Sequence, residues 1–139
     1  MIKVEAVVIR ERIETVIDAV EEEAGHVGVT VLEAVGHGRE RGITHEYRGR
    51  VFESRFLPKA LLTFVVDDSL AEAVVDAIAD SARTGHESGD GLVWTIPVET
   101  VADAARSGNE SGDGLVWTTP VDNVTHSRTG VRLEEVEVA

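Results

Sequence analysis

The chain has 139 residues, enough for one domain with a hydrophobic core, and 42% of them are hydrophobic. It carries 26 acidic and 13 basic residues, so its net charge of -13 would repel nucleic acid, whose binding requires cations that neutralise phosphates. The absence of cysteine excludes disulfides, thiolate metal sites and a cysteine nucleophile.

The acidic residues are spread along the chain. Strong acidity is often typical of a disordered tail, but here the acids are spread along a chain that is 42% hydrophobic, which favours a folded domain. A salt-adapted, halophilic organism would explain the charge, because high salt screens self-repulsion. No apolar run approaches the ~20 residues of a membrane span, and the start lacks a signal-peptide pattern. We therefore expect a cytoplasmic location.

The first third of the chain predicts two strands separated by a helix. Residues 2–9 alternate in polarity and then become apolar, which indicates a strand. Apolar residues next recur at the spacing of a helix, with acidic residues between them, at Ile13, Val16, Ile17 and Val20. Residues 29–35 form the second predicted strand.

The following region predicts a long connection and then a second set of elements. Residues 36–55 are rich in glycine and charge and show no sustained period, so we predict a long exposed loop, a feature that is usually functional or disordered. Residues 61–66 predict a buried strand, and Ser69 with Glu72 predicts a capping box that opens a helix. A further strand follows, and the order predicts an α+β fold: a ferredoxin-like β-α-β-β-α-β sandwich with its helices on one face of an antiparallel sheet.

A segment after the second predicted helix occurs twice. Residues 87–94 and 110–117 both read Glu-Ser-Gly-Asp-Gly-Leu-Val-Trp, within a tandem duplication of 83–105 as 106–128. Two copies are too few for a solenoid. We therefore predict a single domain over 1–139, in which the duplication adds a second glycine-rich turn and a second strand.

Several motifs, taken in order, resemble those of the PII family of nitrogen-regulatory signal-transduction proteins. Residues 36–42, Tyr47-Arg48-Gly49 and residues 56–59 resemble the surroundings of its T-loop, here about 37–55. Arg83-Thr84-Gly85 with Gly89-Asp90-Gly91 resembles its nucleotide-binding B-loop, and Arg128-Thr129-Gly130 resembles its C-loop. The chain is identified as a divergent member with a duplicated B-loop segment.

The resemblance implies a homotrimer with nucleotide sites in the clefts between subunits. ATP and ADP compete there, magnesium with ATP allows 2-oxoglutarate to bind, and the T-loop engages an ammonium transporter or a nitrogen-metabolism enzyme. Membrane contact would be peripheral, through such a transporter only. The sequence shows no nucleophile paired with a base, so we expect a regulator and not an enzyme.

The resemblance also implies roles for individual residues. Nucleotide contacts fall on Thr30, Gly38, Arg39, Glu40, Gly89, Asp90, Gly91 and Arg128. Contacts to 2-oxoglutarate fall on Glu40 and Lys59, and Glu40 would also meet the magnesium ion. The partner-binding residues are Tyr47, Arg48, Gly49 and Phe52.

Elementary chemistry agrees with three of these roles. The backbone N–H groups of Gly89-Asp90-Gly91 can approach phosphates, Arg128 can hold a phosphate with two hydrogen bonds, and Lys59 offers a point charge to a carboxylate. Taken singly, each also has an ordinary explanation: a turn, a surface cation, and the start of a strand.

Four departures from the family pattern alter these expectations. Phe52 replaces the tyrosine that many bacterial members modify covalently. Glu40 replaces a glutamine, which strengthens a magnesium site but repels 2-oxoglutarate, so the outcome is open. Leu92, and Leu115 in the second copy, replace a lysine, and His126 replaces an arginine. The two lost cations would weaken ATP binding, since each charge-assisted contact contributes about 1.5–3 kcal/mol.

The duplication leaves two candidate B-loops. The first copy directly follows the second predicted helix, which favours Gly89-Asp90-Gly91, whereas the second copy is continuous with the C-loop. The copy that is not used would be a surface insertion or an extra edge strand. An alternative function also follows, a degenerate PII-like interaction module with weak or altered binding of ADP or AMP.

Overall fold

The computed structural model describes residues 1–37, 44–53, 56–85, 91–100, 116–121 and 124–133. The chain divides into two compact units, Met1–Pro97 and Val98–Ala139. The organisation as one domain with a tandem duplication stays a prediction.

The first unit has the predicted ferredoxin-like arrangement. Its strands are β1 (Ile2–Ile9), β2 (Thr30–Gly36), β3 (Thr44–Tyr47), β4 (Arg50–Glu53), β5 (Leu57–Val66) and β6 (Leu92–Pro97), and its helices are α1 (Ile13–Ala24) and α2 (Asp68–Ser81). Four strands form an antiparallel sheet in the order β2-β5-β1-β6. Each helix connects two strands that are not neighbours, which confirms the predicted α+β fold.

One face of the sheet packs against the two helices. Every second residue of β5 from Ala60 to Val66 is buried, as are three alternate residues of β1. They form a core with the inward faces of the helices, at Val16, Val20, Val74 and Ile78. Because side chains alternate across a strand, the intervening residues lie on the face away from the helices, which we call the open face.

The start of α2 differs from the prediction. Its N-cap is Asp67, whose backbone is extended with φ of -60° and ψ of 148°, and the N–H of Leu70 donates to the Asp67 carbonyl at 2.9 Å. Ser69 therefore lies inside the first turn, and the predicted capping box is wrong. Asp67 and Asp68 place negative charge at the helix start, where the helix dipole favours it.

The predicted long loop contains regular structure. β3 and β4 pair as an antiparallel hairpin, with Tyr47 opposite Arg50. The turn between them, Arg48-Gly49, has positive φ at both residues, 51° and 75°, as a two-residue type I′ turn requires. The prediction of an irregular segment is therefore wrong at residues 44–53, which form a hairpin within the region that we assigned to the T-loop.

The second unit contains two short strand pairs among the residues described. β7 (Glu99–Thr100) pairs with β8 (Trp117–Thr118), and β9 (Val124–His126) pairs with β10 (Val131–Leu133). The first copy of the repeat thus supplies the edge strand β6 of the main sheet, with Trp94 opposite Glu5. Trp117, the equivalent residue of the second copy, lies opposite Thr100 instead.

Arg12 joins two distant parts of the first unit. It ends a short 3₁₀ turn, Arg10–Arg12, and its Nε and Nη2 atoms donate to the carbonyl of Ser81 at 3.1 and 2.6 Å. Ser81 is the last residue of α2, where helix carbonyls lack partners within the helix. Arg12 therefore holds the end of α2 against the connection between β1 and α1.

We expect Arg12→Ala to lower the free energy of unfolding by about 1.5–3 kcal/mol, because it removes hydrogen bonds from a charged donor to a partly buried carbonyl. Urea denaturation measures the loss. The control is Arg10→Ala, at an exposed arginine in the same turn, which should change stability by no more than about 0.5 kcal/mol. Equal losses in the two variants would contradict the role given to Arg12.

Candidate functional site

Several predicted site residues lie at one end of the sheet. Strands β1 and β2 end there and β5 and β6 begin there, since Lys59 is opposite Ile9 and Leu92 is opposite Val7. Gly36, the last residue of β2, lies at the same end, as does Gly91, which precedes β6. We call this the loop end of the sheet.

Gly91 is the one residue of the first Gly-Asp-Gly turn that the structure describes. Its φ is +80°, and a β-carbon there would lie 2.3 Å from the carbonyl oxygen of Val7. Both the backbone conformation and the close approach of β1 therefore require glycine. The packing of β1 alone creates this requirement, and it would hold without any ligand.

Lys59 lies within β5, opposite Ala34 of β2 and Ile9 of β1. It alternates with the buried Ala60, so its side chain lies on the open face near the loop end. The stem of Lys59 passes close to Gly36. Lys59 is therefore part of a paired strand at the loop end. The segment that leads to the β3–β4 hairpin leaves the sheet at this same end.

Thr30 and Gly91 do not meet within the chain. Thr30 begins β2 at one edge of the sheet, and Gly91 precedes β6 at the opposite edge. Strands β5 and β1 separate them, a span of about 14 Å at the usual strand spacing. One group of a ligand, such as its base or a single phosphate, therefore cannot contact both residues of the same chain.

Arg128 belongs to the second unit. It is exposed in the four-residue turn between β9 and β10. Thr129 stabilises this turn, because its Oγ1 accepts a hydrogen bond from the N–H of Val131 at 3.2 Å. The predicted C-loop residue therefore lies in an ordered hairpin turn.

The four predicted partner-binding residues all lie on the β3–β4 hairpin. Tyr47 ends β3, Arg48 and Gly49 form the exposed turn, and Phe52 lies opposite His45 in β4. The rings of His37 and Phe56, which flank the whole segment, are 5.6 Å apart in a tilted contact. The two ends of the segment are thus held together where it leaves the sheet.

Leu92, which stands where the resemblance leads us to expect a lysine, is 74% exposed at the start of β6. Five further predicted nucleotide residues lie outside the described residues: Gly38, Arg39, Glu40, Gly89 and Asp90. In the part of the chain that the structure describes, no cluster of histidine and acidic residues could hold a metal ion. Within the same residues, no helix is long and apolar enough to cross a membrane.

The glycine motif around Gly36 is visible in the sequence, but the sequence does not show why this position needs glycine. The reason depends on a neighbour in another strand. Only the pairing of β2 with β5 brings Lys59 beside it.

Comparison with known proteins identifies similar chains. Residues 1–109 match the family model described as nitrogen regulatory protein P-II. A nitrogen regulatory protein P-II of Azospirillum brasilense is 41% identical over 99 residues, which cover 71% of this chain and 87% of the relative. One of Nostoc punctiforme is 49% identical over 76 residues, which cover 55% and 67%. The family match includes the whole first copy of the repeat and ends before Gly112-Asp113-Gly114 and Arg128.

Proposed function

Because the chain belongs to the P-II family of nitrogen regulatory proteins, we propose that it is a signal transducer that senses adenine nucleotides. It regulates nitrogen-metabolism partners, such as an ammonium transporter, through the β3–β4 hairpin. It acts by binding and not by catalysis. Its partners are reached from the cytoplasm, where we expect the protein to be.

The observation that carries the proposal is the location of Thr30 and Gly91 at opposite edges of one sheet. A head-to-tail interface that closes into a ring brings one edge of each subunit beside the other edge of its neighbour. A nucleotide in that cleft contacts Thr30 of one subunit and Gly91 of the next. The separation within one subunit therefore supports a ring with its sites between subunits, and the resemblance to the family makes this ring a homotrimer.

The open face supports the same assembly. Leu32, Leu61, Val7 and Leu92 lie side by side across all four strands. At the two ends of this row, Leu32 is 55% exposed and Leu92 is 74% exposed. An apolar row of this kind is typical of a surface that another protein covers. In the proposed trimer, neighbouring subunits cover this row, except that Leu92 at its end borders the nucleotide cleft.

Within each cleft, we assign the phosphates of ATP or ADP to Gly89-Asp90-Gly91. For Arg128, in the second unit, a phosphate contact stays a prediction from the resemblance. Gly38 and Arg39 also face the nucleotide, Glu40 holds magnesium with ATP, and Lys59 binds a carboxylate of 2-oxoglutarate. Lys59 lies at the loop end, beside the base of the hairpin segment. Ligand binding there is therefore well placed to change the hairpin, which meets the partner with Tyr47, Arg48, Gly49 and Phe52.

Ligands alone control this transducer. Phe52 has no hydroxyl, so the covalent modification that many relatives carry at this position cannot occur. The state of the hairpin would depend only on which ligands occupy the clefts.

Calorimetry on the protein at high salt tests the proposal, with ATP, ADP and AMP as separate titrants and with 2-oxoglutarate titrated in the presence of magnesium and ATP. We expect at least one adenine nucleotide to bind with one site per subunit, and sedimentation to give the mass of a trimer. Failure of all four ligands to bind would rule out the sensing role.

Leu92 favours a second candidate function, a degenerate P-II protein that keeps the assembly and the hairpin but binds nucleotide weakly. An exposed apolar side chain stands where a cation would face the phosphates. In that case, the purified protein would bind an ammonium transporter equally well with and without nucleotide. A difference caused by ATP or ADP would exclude this second function.

A further inference from the structure

Gly36 is a glycine that its own backbone does not require. It ends β2 and is not among the glycines that adopt positive φ. Any amino acid can adopt an extended backbone of this kind. The reason for glycine at this position must therefore lie in its surroundings.

The side chain of Lys59 occupies the space that a larger residue would need. A β-carbon on Gly36 would lie 2.9 Å from Cγ, 3.1 Å from Cε and 3.6 Å from Cδ of Lys59. Three methylene groups of the stem thus run flat along the bare backbone of β2. The first two distances are shorter than ordinary contact between carbon atoms.

The register of the two strands gives the direction of this side chain. Lys59 lies opposite Ala34, so Gly36 is its diagonal neighbour on the open face. The stem therefore leans along β2 toward its last residue, and the ammonium group is directed to the loop end of the sheet. Small residues at 34 and 36 leave this path clear.

We propose that Gly36 is a positioning residue for the ammonium group of Lys59. The missing side chain lets the lysine stem lie on the backbone, which restricts its rotamers and keeps its charge at the loop end. The identity of the ligand rests on the proposed function, in which this charge meets a carboxylate of 2-oxoglutarate. A preorganised cation loses less conformational entropy when it binds an anion than a freely rotating one.

Lysine acetylation tests the positioning directly and without any ligand. The chain contains only two lysines, Lys3 and Lys59, so peptide mass spectrometry reads each of them separately and Lys3 serves as an internal reference. In Gly36→Ala the stem must leave the backbone, and we expect the Lys59-to-Lys3 labelling ratio to rise roughly twofold or more. Gly36→Val should raise it further.

The matched control is Gly28→Ala. Gly28 also lacks positive φ, and a β-carbon there would meet nothing within 4 Å, so the labelling ratio should stay at the wild-type value. Labelling in Gly36→Ala that equals that of both wild type and Gly28→Ala would overturn the proposal.

A second arm measures the ligand. With magnesium and ATP present, Gly36→Ala should bind 2-oxoglutarate several-fold more weakly than wild type, while ATP affinity measured without 2-oxoglutarate stays unchanged. Equal 2-oxoglutarate affinity in the two proteins would contradict the binding role of this positioning. If wild type itself does not bind 2-oxoglutarate, the ligand of the proposed function is wrong, and the labelling ratio alone decides the role of Gly36.

Discussion

Replacing Leu92 with lysine should tighten ATP binding by about 10- to 150-fold. Leu92 follows Gly91 directly and is 74% exposed, so a lysine there needs no rearrangement of the core. The new ammonium group would face the phosphates and form a charge-assisted contact worth about 1.5–3 kcal/mol. Calorimetric titration of ATP into wild type and Leu92→Lys at one salt concentration measures the gain. Because salt screens this contact, the gain should shrink as salt concentration rises.

The duplication provides a matched control for this experiment. Leu115→Lys makes the same substitution after the second Gly-Asp-Gly sequence, with the same change of net charge. If the first copy forms the nucleotide site, Leu115→Lys leaves ATP affinity close to that of wild type. A gain in Leu115→Lys alone would assign the site to the second copy. No gain in either variant would mean that neither turn faces the phosphates.

Much of the first unit could be predicted because its buried residues recur at the regular spacing of a strand or a helix. Residues of β5 alternate between buried and partly exposed from Ala60 to Val66, and α1 buries Val16 and Val20 at helical spacing. Such patterns are local, so the sequence contains the whole signal. The alternation of strands and helices then leaves few arrangements for a single sheet.

The hairpin at 44–53 was missed for an equally local reason. Its turn places Arg48 at a φ of 51°, a conformation that asparagine, aspartate or glycine usually occupies. With arginine at this position, the sequence lacks the residue pattern by which such a turn is usually predicted. The start of α2 at Asp68 was also missed. Ser69 and Glu72 have the spacing of a capping box, but the N-cap is Asp67, whose backbone is extended.

The candidate site depends on relations that a sequence does not display. The motif identified Gly91, but the carbonyl of Val7 is what excludes a side chain there. Lys59 was identified from resemblance, yet its support by Gly36 exists only in the register of β2 with β5. The separation of Thr30 from Gly91 likewise follows from strand order. Strand order and register are long-range properties, and no local pattern contains them.

Gly91→Ala should destabilise the protein more than the same substitution at a glycine that has positive φ but no close neighbour. The first cost is conformational, because φ of +80° is unfavourable for alanine by about 1–2 kcal/mol. The second is steric: the new β-carbon would lie 2.3 Å from the Val7 carbonyl oxygen. That oxygen belongs to the backbone of β1 and cannot rotate away, so β6 must shift from its partner. We expect a total loss of about 3–4 kcal/mol in the free energy of unfolding.

Gly85→Ala separates the two costs. Gly85 has a φ of +81°, nearly the same as Gly91, but a β-carbon there would meet nothing within 4 Å. Only the conformational cost applies, and we expect a loss of about 1 kcal/mol. Urea denaturation of both variants at one protein concentration measures the difference, since in the proposed trimer stability would depend on concentration. Equal losses of unfolding free energy in the two variants would mean that the start of β6 can move away from β1 at little cost. A strand that moves so easily could not hold the Gly-Asp-Gly turn in a fixed position against a phosphate.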